Sequence, residues 1–175
     1  YPEGVKGLIF NSPYFSTKIW TDDADILIAA LPDSIQSAIR VAEAKGVFNT
    51  DSYANANKVF AKKHGRRTEY KPHPFDTLKY TRDSFIYNYM WGPSEFTSTG
   101  TLKNYDIHQT LKDIKVPVLF TTGEFDEARP QTVKKLSELL PKSTMVIIEG
   151  AGHSTSNDNR PALIAAIKHF LNIQK

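Results

Sequence analysis

VPVLFTTGEFDEARP, residues 116–130, opens as an apolar run and closes in a cluster of three carboxylates. Val116 to Thr122 predicts a buried strand, and Glu124, Asp126 and Glu127 stand at its mouth. Working outward, Gln131 to Leu140 predicts a helix and Thr144 to Glu149 a second strand. Gly150-Ala151-Gly152-His153 follows that strand, and the amphipathic segment Pro161 to Ile173 predicts a closing helix. On the other side lie a helix-like Leu111 to Ile114 and, far upstream, an apolar strand at Val5 to Phe10. Between them, residues 18–100 hold helical stretches such as Asp22 to Leu31 and Ser34 to Lys45, aromatic-rich connections and no convincing strand. Strand and helix alternating around a helical insertion, with no internal repeat, predict an α/β layered sheet.

Composition narrows the function classes. The 175 residues are 40% hydrophobic and 23% charged, enough for one domain with a sizeable core. The 22 basic and 19 acidic residues leave a net charge of +3, and the basic residues are scattered except for Lys62 to Arg67. That run reads as a solvated helix end, so no nucleic-acid partner is expected. The absence of cysteine excludes disulfides and a thiol nucleophile and suits a reducing cytoplasm. No apolar stretch reaches the roughly 20 residues of a membrane helix, so no membrane partner is expected. His64, His73, His108 and His169 show no metal-ligand spacing and read as surface or structural residues; no metal or cofactor is expected.

Asp126 and His153 carry the chemistry. In open parallel sheets functional groups gather at the carboxyl ends of strands, and here a carboxylate follows one strand and a histidine the next. An aspartate can hold the Nδ1 proton of an imidazole and leave Nε2 as a general base. The order acid then histidine is that of the last two triad members of α/β-hydrolases.

Three segments carry a resemblance: Tyr89-Met90-Trp91-Gly92-Pro93-Ser94-Glu95-Phe96, Gly123 to Pro130, and Gly150-Ala151-Gly152-His153-Ser154. Together they resemble the proline iminopeptidases, or prolyl aminopeptidases, over essentially the whole chain. The resemblance implies the carboxyl-terminal part of an α/β-hydrolase fold, parallel strands with flanking helices plus a helical cap domain. Residues 1–17 and 101–175 would belong to the hydrolase core and residues 18–100 to the cap. It implies catalytic roles for Asp126 and His153, and binding of a substrate's free α-ammonium by Glu95 and Glu127. An exopeptidase must recognise one extra positive charge, and each charge-assisted hydrogen bond contributes roughly 1.5–3 kcal/mol. Tyr14, Phe15, Tyr89, Trp91 and Phe96 are candidate walls of a pocket for a proline ring. Gly92-Pro93 predicts a turn that aims Glu95 inward, and Glu124 is expected to face solvent or a neighbouring helix. Like charges raise one another's pKa unless a cation intervenes, for which Arg129 or the substrate's ammonium is the candidate.

No G-x-S-x-G is present, and Ser12, Ser16, Ser94 and Ser154 stand in the wrong contexts for a nucleophile. Tyr1 to Val5 resembles the point just after the family's nucleophile helix. The expected partner is therefore an amino-terminal fragment of the same enzyme carrying the serine, and the expected substrate a peptide or amino-acyl amide with a free amino terminus. An amino-acid amidase or esterase with the same machinery, or a non-catalytic binding fragment, remains open.

Overall fold

A computed structural model describes residues 2–70 and 84–173. Three strands, β1 (Leu8–Asn11), β2 (Val118–Gly123) and β3 (Ser143–Ile148), form a parallel sheet in the order β1-β2-β3. Leu8 lies opposite Val118 and Asn11 opposite Thr121, while Val118 lies opposite Ser143 and Gly123 opposite Ile148. The chain therefore leaves all three strands at one end of the sheet. Every residue of β2 is buried, as its apolar run requires. β1 is displaced from the expected Val5 to Phe10, because pairing starts where Leu8 N donates to Pro117 O at 3.0 Å. It is also less buried than expected. Ile9 is 38% exposed, and among the described residues β1 pairs only with β2.

The segment between β1 and β2 is helical. α1 (Thr17–Ala29) starts earlier than the periodicity from Asp22 suggests, because Ser16 adopts an extended backbone and caps it by accepting from Ile19 N. α2 (Asp33–Lys45) ends at Gly46, whose φ of 63° is the left-handed conformation that closes helices. α3 (Asp51–Phe60) is capped by Thr50 and runs into a π-turn at Ala61–Gly65, and α4 (Ser84–Met90) follows. Ile35, Ile39 and Ala42 on α2 and Tyr53, Ala56 and Phe60 on α3 recur at helical spacing, and they pack with Ala24, Ile28, Leu31 and Phe96 into one cluster. Thr17 N donates to Tyr105 O and Ile107 N to Phe15 O, so the entering and leaving chains meet at the neck.

α5 (Pro130–Ser137) joins β2 to β3, with Pro130 in its first turn where no N–H is needed. Val133, Leu136 and Leu140 cover Val118 and Phe120 together with Phe15 and Leu111. The short α6 (Thr155–Asp158) and the closing α7 (Arg160–Ile173) follow β3, and Leu163 packs on Ile148 and Ala151.

The loops after β2 and β3 touch at a glycine. A Cβ on Gly123 would lie 2.3 Å from Gly152 O and 2.5 Å from Ala151 O, so any side chain there forces two main chains apart. Gly123→Ala is expected to cost about 2 kcal/mol or more, read as a lowered urea midpoint; an unchanged midpoint would refute this close packing.

Candidate active site

Asp126 follows β2 and is 1% exposed. Its Oδ1 accepts from Ala128 N at 2.9 Å and faces His153 Nδ1 at 2.9 Å. Its Oδ2 accepts from Ser12 Oγ at 2.6 Å and from Gly123 N at 2.9 Å, with Thr122 Oγ1 at 3.0 Å. The Thr122 hydroxyl has a closer acceptor in Ala128 O, at 2.6 Å. A buried carboxylate surrounded in this way has little freedom to turn, so Nδ1 is the nitrogen that carries the proton toward it and Nε2 is left for proton transfer.

His153 comes from the loop after β3. Its backbone N donates to His64 O at 2.8 Å and Ser154 N to Gly65 O at 2.9 Å, so the π-turn after α3 grips this loop. Asp158 tightens the grip by accepting from Gly152 N, Arg67 N and Thr68 N. The imidazole side chain is 37% exposed and lines a cavity of about 530 Å³ with Ser12, Tyr14, Trp20, Trp91 and Glu95. Burial opposes its charged form, but the hydrogen bond and charge of Asp126, helped by Glu127 and Glu95, outweigh this and raise its pKa to about 9.

Glu127 lies beside them, 4% exposed, with Oε1 3.9 Å from His153 Nδ1 and Oε2 without a hydrogen-bond partner among the described residues. Burial raises its pKa to about 8; the neighbouring imidazole opposes the shift, and the charges of Glu95 and Asp126 add to it. Glu95 is held through its neighbours. Trp91 Nε1 donates to Ser94 O, Tyr53 Oη to Ser94 Oγ, and Trp20 Nε1 to Glu95 O, each at 2.8 Å.

Several expectations need correction. Tyr89 is 63% exposed, packs beside Phe85 on α4 and is not part of the cavity. Phe96 belongs to the helical core against Tyr53 and Phe60, and Phe15 packs on Phe10 and Phe120. Trp91 and Tyr14 do line the cavity. Arg129 does not sit between the carboxylates, because it pairs with the buried Asp23 of α1 at 2.9 Å. Glu124 is exposed, and its Oε2 accepts from Gly150 N. His64 is a structural residue, buried with Nδ1 2.8 Å from Phe125 O. Arg67, within the run read as solvated, stacks on Phe125 at 3.7 Å. His108 pairs with Asp106, His169 is exposed, and His73 lies outside the described residues.

Trp20 and the supporting role of Ser12 escaped the sequence reading. Ser12 has a positive φ of 49°, and its hydroxyl bonds the acid rather than the imidazole, so it serves as support and not as nucleophile. Its place just past the end of β1 is the one available signal. Trp20, in the first turn of α1, reaches the cavity through the fold alone. Among the described residues no cluster of histidine and carboxylate groups suits a metal ion, and no helix is long and apolar enough to cross a membrane.

The model of the TAP-like protein family matches residues 89–174. The proline iminopeptidase of Heyndrickxia coagulans is 39% identical over 172 residues, 98% of this chain and 60% of that protein. The crystal structure of the proline iminopeptidase of Mycobacterium smegmatis superposes with a TM-score of 0.82 at 29% identity, covering 99% of this chain and 58% of that one. The crystal structure of VinJ superposes with a TM-score of 0.84 at 28% identity, covering 98% and 59%. The chain thus spans about 60% of the length of the first of these relatives.

Two stability predictions follow from the geometry. Ser12→Ala removes a donor from a buried carboxylate and is expected to cost about 1–3 kcal/mol, checked by urea unfolding at pH 7. The raised pKa of His153 adds stability that is full below its ordinary value of 6.5 and is lost as pH rises through about 9. For Glu127 the folded state keeps a proton that the unfolded chain releases from 4.5 upward, so stability falls between 4.5 and about 8. Glu127→Gln removes this second loss. Its melting temperature should exceed that of the wild type by a margin that grows from pH 5 to 8, and a constant difference would contradict the burial of an ionisable Glu127.

Proposed function

Because the chain belongs to the proline iminopeptidase family of α/β-hydrolases, we propose that it forms part of a serine aminopeptidase that releases an amino-terminal residue, proline foremost, from peptides. The observation that carries this reading is the Asp126–His153 pair at a cavity with aromatic walls, with Glu95 and Glu127 beside it. Two carboxylates next to an apolar pocket suit an apolar residue bearing a free ammonium. On this reading Asp126 orients the imidazole, His153 moves the proton, and Glu127 and Glu95 bind the ammonium. The helices between β1 and β2 act as a cap that brings Glu95, Trp91 and Trp20 over the carboxyl end of the sheet.

The nucleophilic serine is supplied by a segment outside these 175 residues. The edge of β1 that meets no strand among the described residues is its docking place. Val5 and Ile9 are exposed there, beside a cavity of about 350 Å³ that they line with Gly7, Phe170 and Leu171. A further strand added there in parallel would end beside Ser12, at the end of the sheet where Asp126 and His153 stand. Without that segment the chain is expected to be inactive. The absence of cysteine fits a cytoplasmic setting.

The chemistry is acyl transfer. The serine oxygen attacks the carbonyl carbon of the substrate's first residue while His153 Nε2 takes the serine proton. The tetrahedral centre then expels the remaining peptide as an amine, which receives that proton, and an acyl-enzyme is left. Water adds to the ester carbonyl while His153 Nε2 takes its proton, the tetrahedral centre expels the serine oxygen, which receives that proton, and the free amino acid departs. His153 must be neutral to act and Glu127 ionised to pair with an ammonium, so both raised pKa values place the rising limb of kcat/KM on the alkaline side of neutrality.

The test uses the complete enzyme, or this chain combined with the serine-bearing segment, on prolyl amides with free and acetylated amino groups. Turnover of the free amine only is expected. His153→Ala should lower kcat at least about 10³-fold, and Glu95→Ala or Glu127→Ala should lower kcat/KM on the free amine about 10- to 100-fold. Equal use of both amides would overturn amine recognition. Preference for other amino-acyl amides or esters would favour an amidase or esterase, and partner binding without turnover a scaffold.

A further inference from the structure

Trp20 joins the two halves of the site. It sits in the first turn of α1, which is fixed by the Ser16 cap and by the backbone bond from Trp20 N to Ser16 O at 3.0 Å. The indole Nε1 donates to the backbone carbonyl of Glu95 at 2.8 Å. The indole ring meets the imidazole of His153 at a centroid distance of 5.6 Å and an interplanar angle of 86°. Trp91 and Tyr14 brace it edge to face at 6.3 Å and 5.8 Å, so the ring has little room to turn. One rigid side chain is thus hydrogen-bonded to the segment that carries a cavity carboxylate and packed against the imidazole.

We propose that Trp20 is a positioning residue for both halves of the site: its indole N–H sets Glu95 for the substrate's ammonium, and its ring sets the orientation of the His153 imidazole. This rests on the aminopeptidase reading. The hydrogen bond and the ring contact act on different steps, so they can be separated. Through the hydrogen bond, Trp20 sets how far Glu95 projects into the cavity and hence how well an amine is bound. Through the ring, it walls one side of the imidazole and keeps its plane aligned with Asp126. Tyr53 and Trp91 hold Ser94 independently, so loss of the indole N–H shifts Glu95 without unfolding the segment around it.

The experiment compares Trp20→Phe and Trp20→Leu in the complete enzyme. Steady-state kinetics are run on the free prolyl amide, and the His153 imidazole is titrated by NMR without substrate. Trp20→Phe keeps an aromatic wall and loses the donor. It should raise KM for the free amine about tenfold, corresponding to about 1.4 kcal/mol, with kcat within about twofold and the His153 titration unmoved. Trp20→Leu loses both contacts. It should raise KM in the same way, lower kcat about tenfold and displace the His153 titration. Variants that leave KM for the free amine at its wild-type value would overturn the placing of Glu95, and a Trp20→Leu enzyme whose His153 titration is unmoved would overturn the orienting of the imidazole. A wild-type enzyme with no prolyl amide activity would sink the aminopeptidase reading instead. Displacement of the titration by Leu but not Phe would then still support the ring contact, and no displacement by Leu would refute it.

Discussion

The carboxylate of Asp126 is the point on which three separate parts of the chain converge. Ser12 reaches it from the end of β1, Gly123 N and Ala128 N from its own loop, and His153 from the loop after β3. These residues are far apart in sequence, and hydrogen bonds to a charged group are stronger than those between neutral ones. Removing the carboxylate would leave donors from three loops facing one dry space. The parallel register of the strands makes the convergence possible, because all three start level and run to the same end of the sheet, β1 stopping at the level of Thr121 and β2 and β3 two residues further on.

The second constraint is closeness. Gly123 and Gly152 let main chains approach to distances that no side chain tolerates, Gly123 against the histidine loop and Gly152 against the π-turn after α3. The histidine loop is therefore held from both sides, by the loop after β2 and by the helical layer. Glu127 is buried in the same space at a cost, which is why its proton is hard to remove. On the proposed reading the substrate's ammonium offsets that cost.

Much of this was legible in the sequence because its logic is local. An apolar run followed by polar residues marks the end of a strand, and so Asp126, Glu127 and His153 could be read as one group. The sheet strands and the flanking helices were recoverable from periodicity to within a few residues, except for β1, which among the described residues is paired on one side only. The aromatic residues were less legible. Tyr89 and Phe96 flank Trp91 in sequence, yet α4 turns Tyr89 outward and the helical core takes Phe96. Hydrophobicity alone does not tell a pocket wall from a core residue. Trp20, and the particular contacts of Ser12 and His64, were not legible because their partners lie in distant segments, where no local pattern points.

The π-turn at Ala61–Gly65 has a wider consequence. It closes through Arg66 N and Ala61 O, which leaves the carbonyls of His64 and Gly65 directed at the histidine loop. The contact between helical layer and histidine loop at this point is main chain to main chain, so it depends on the path of the backbone rather than on which side chains line that path. Substitutions over the outer faces of α2 and α3 can then accumulate without disturbing it. The outer surface of the helical layer is in this way free to change while the loop that carries His153 keeps its place.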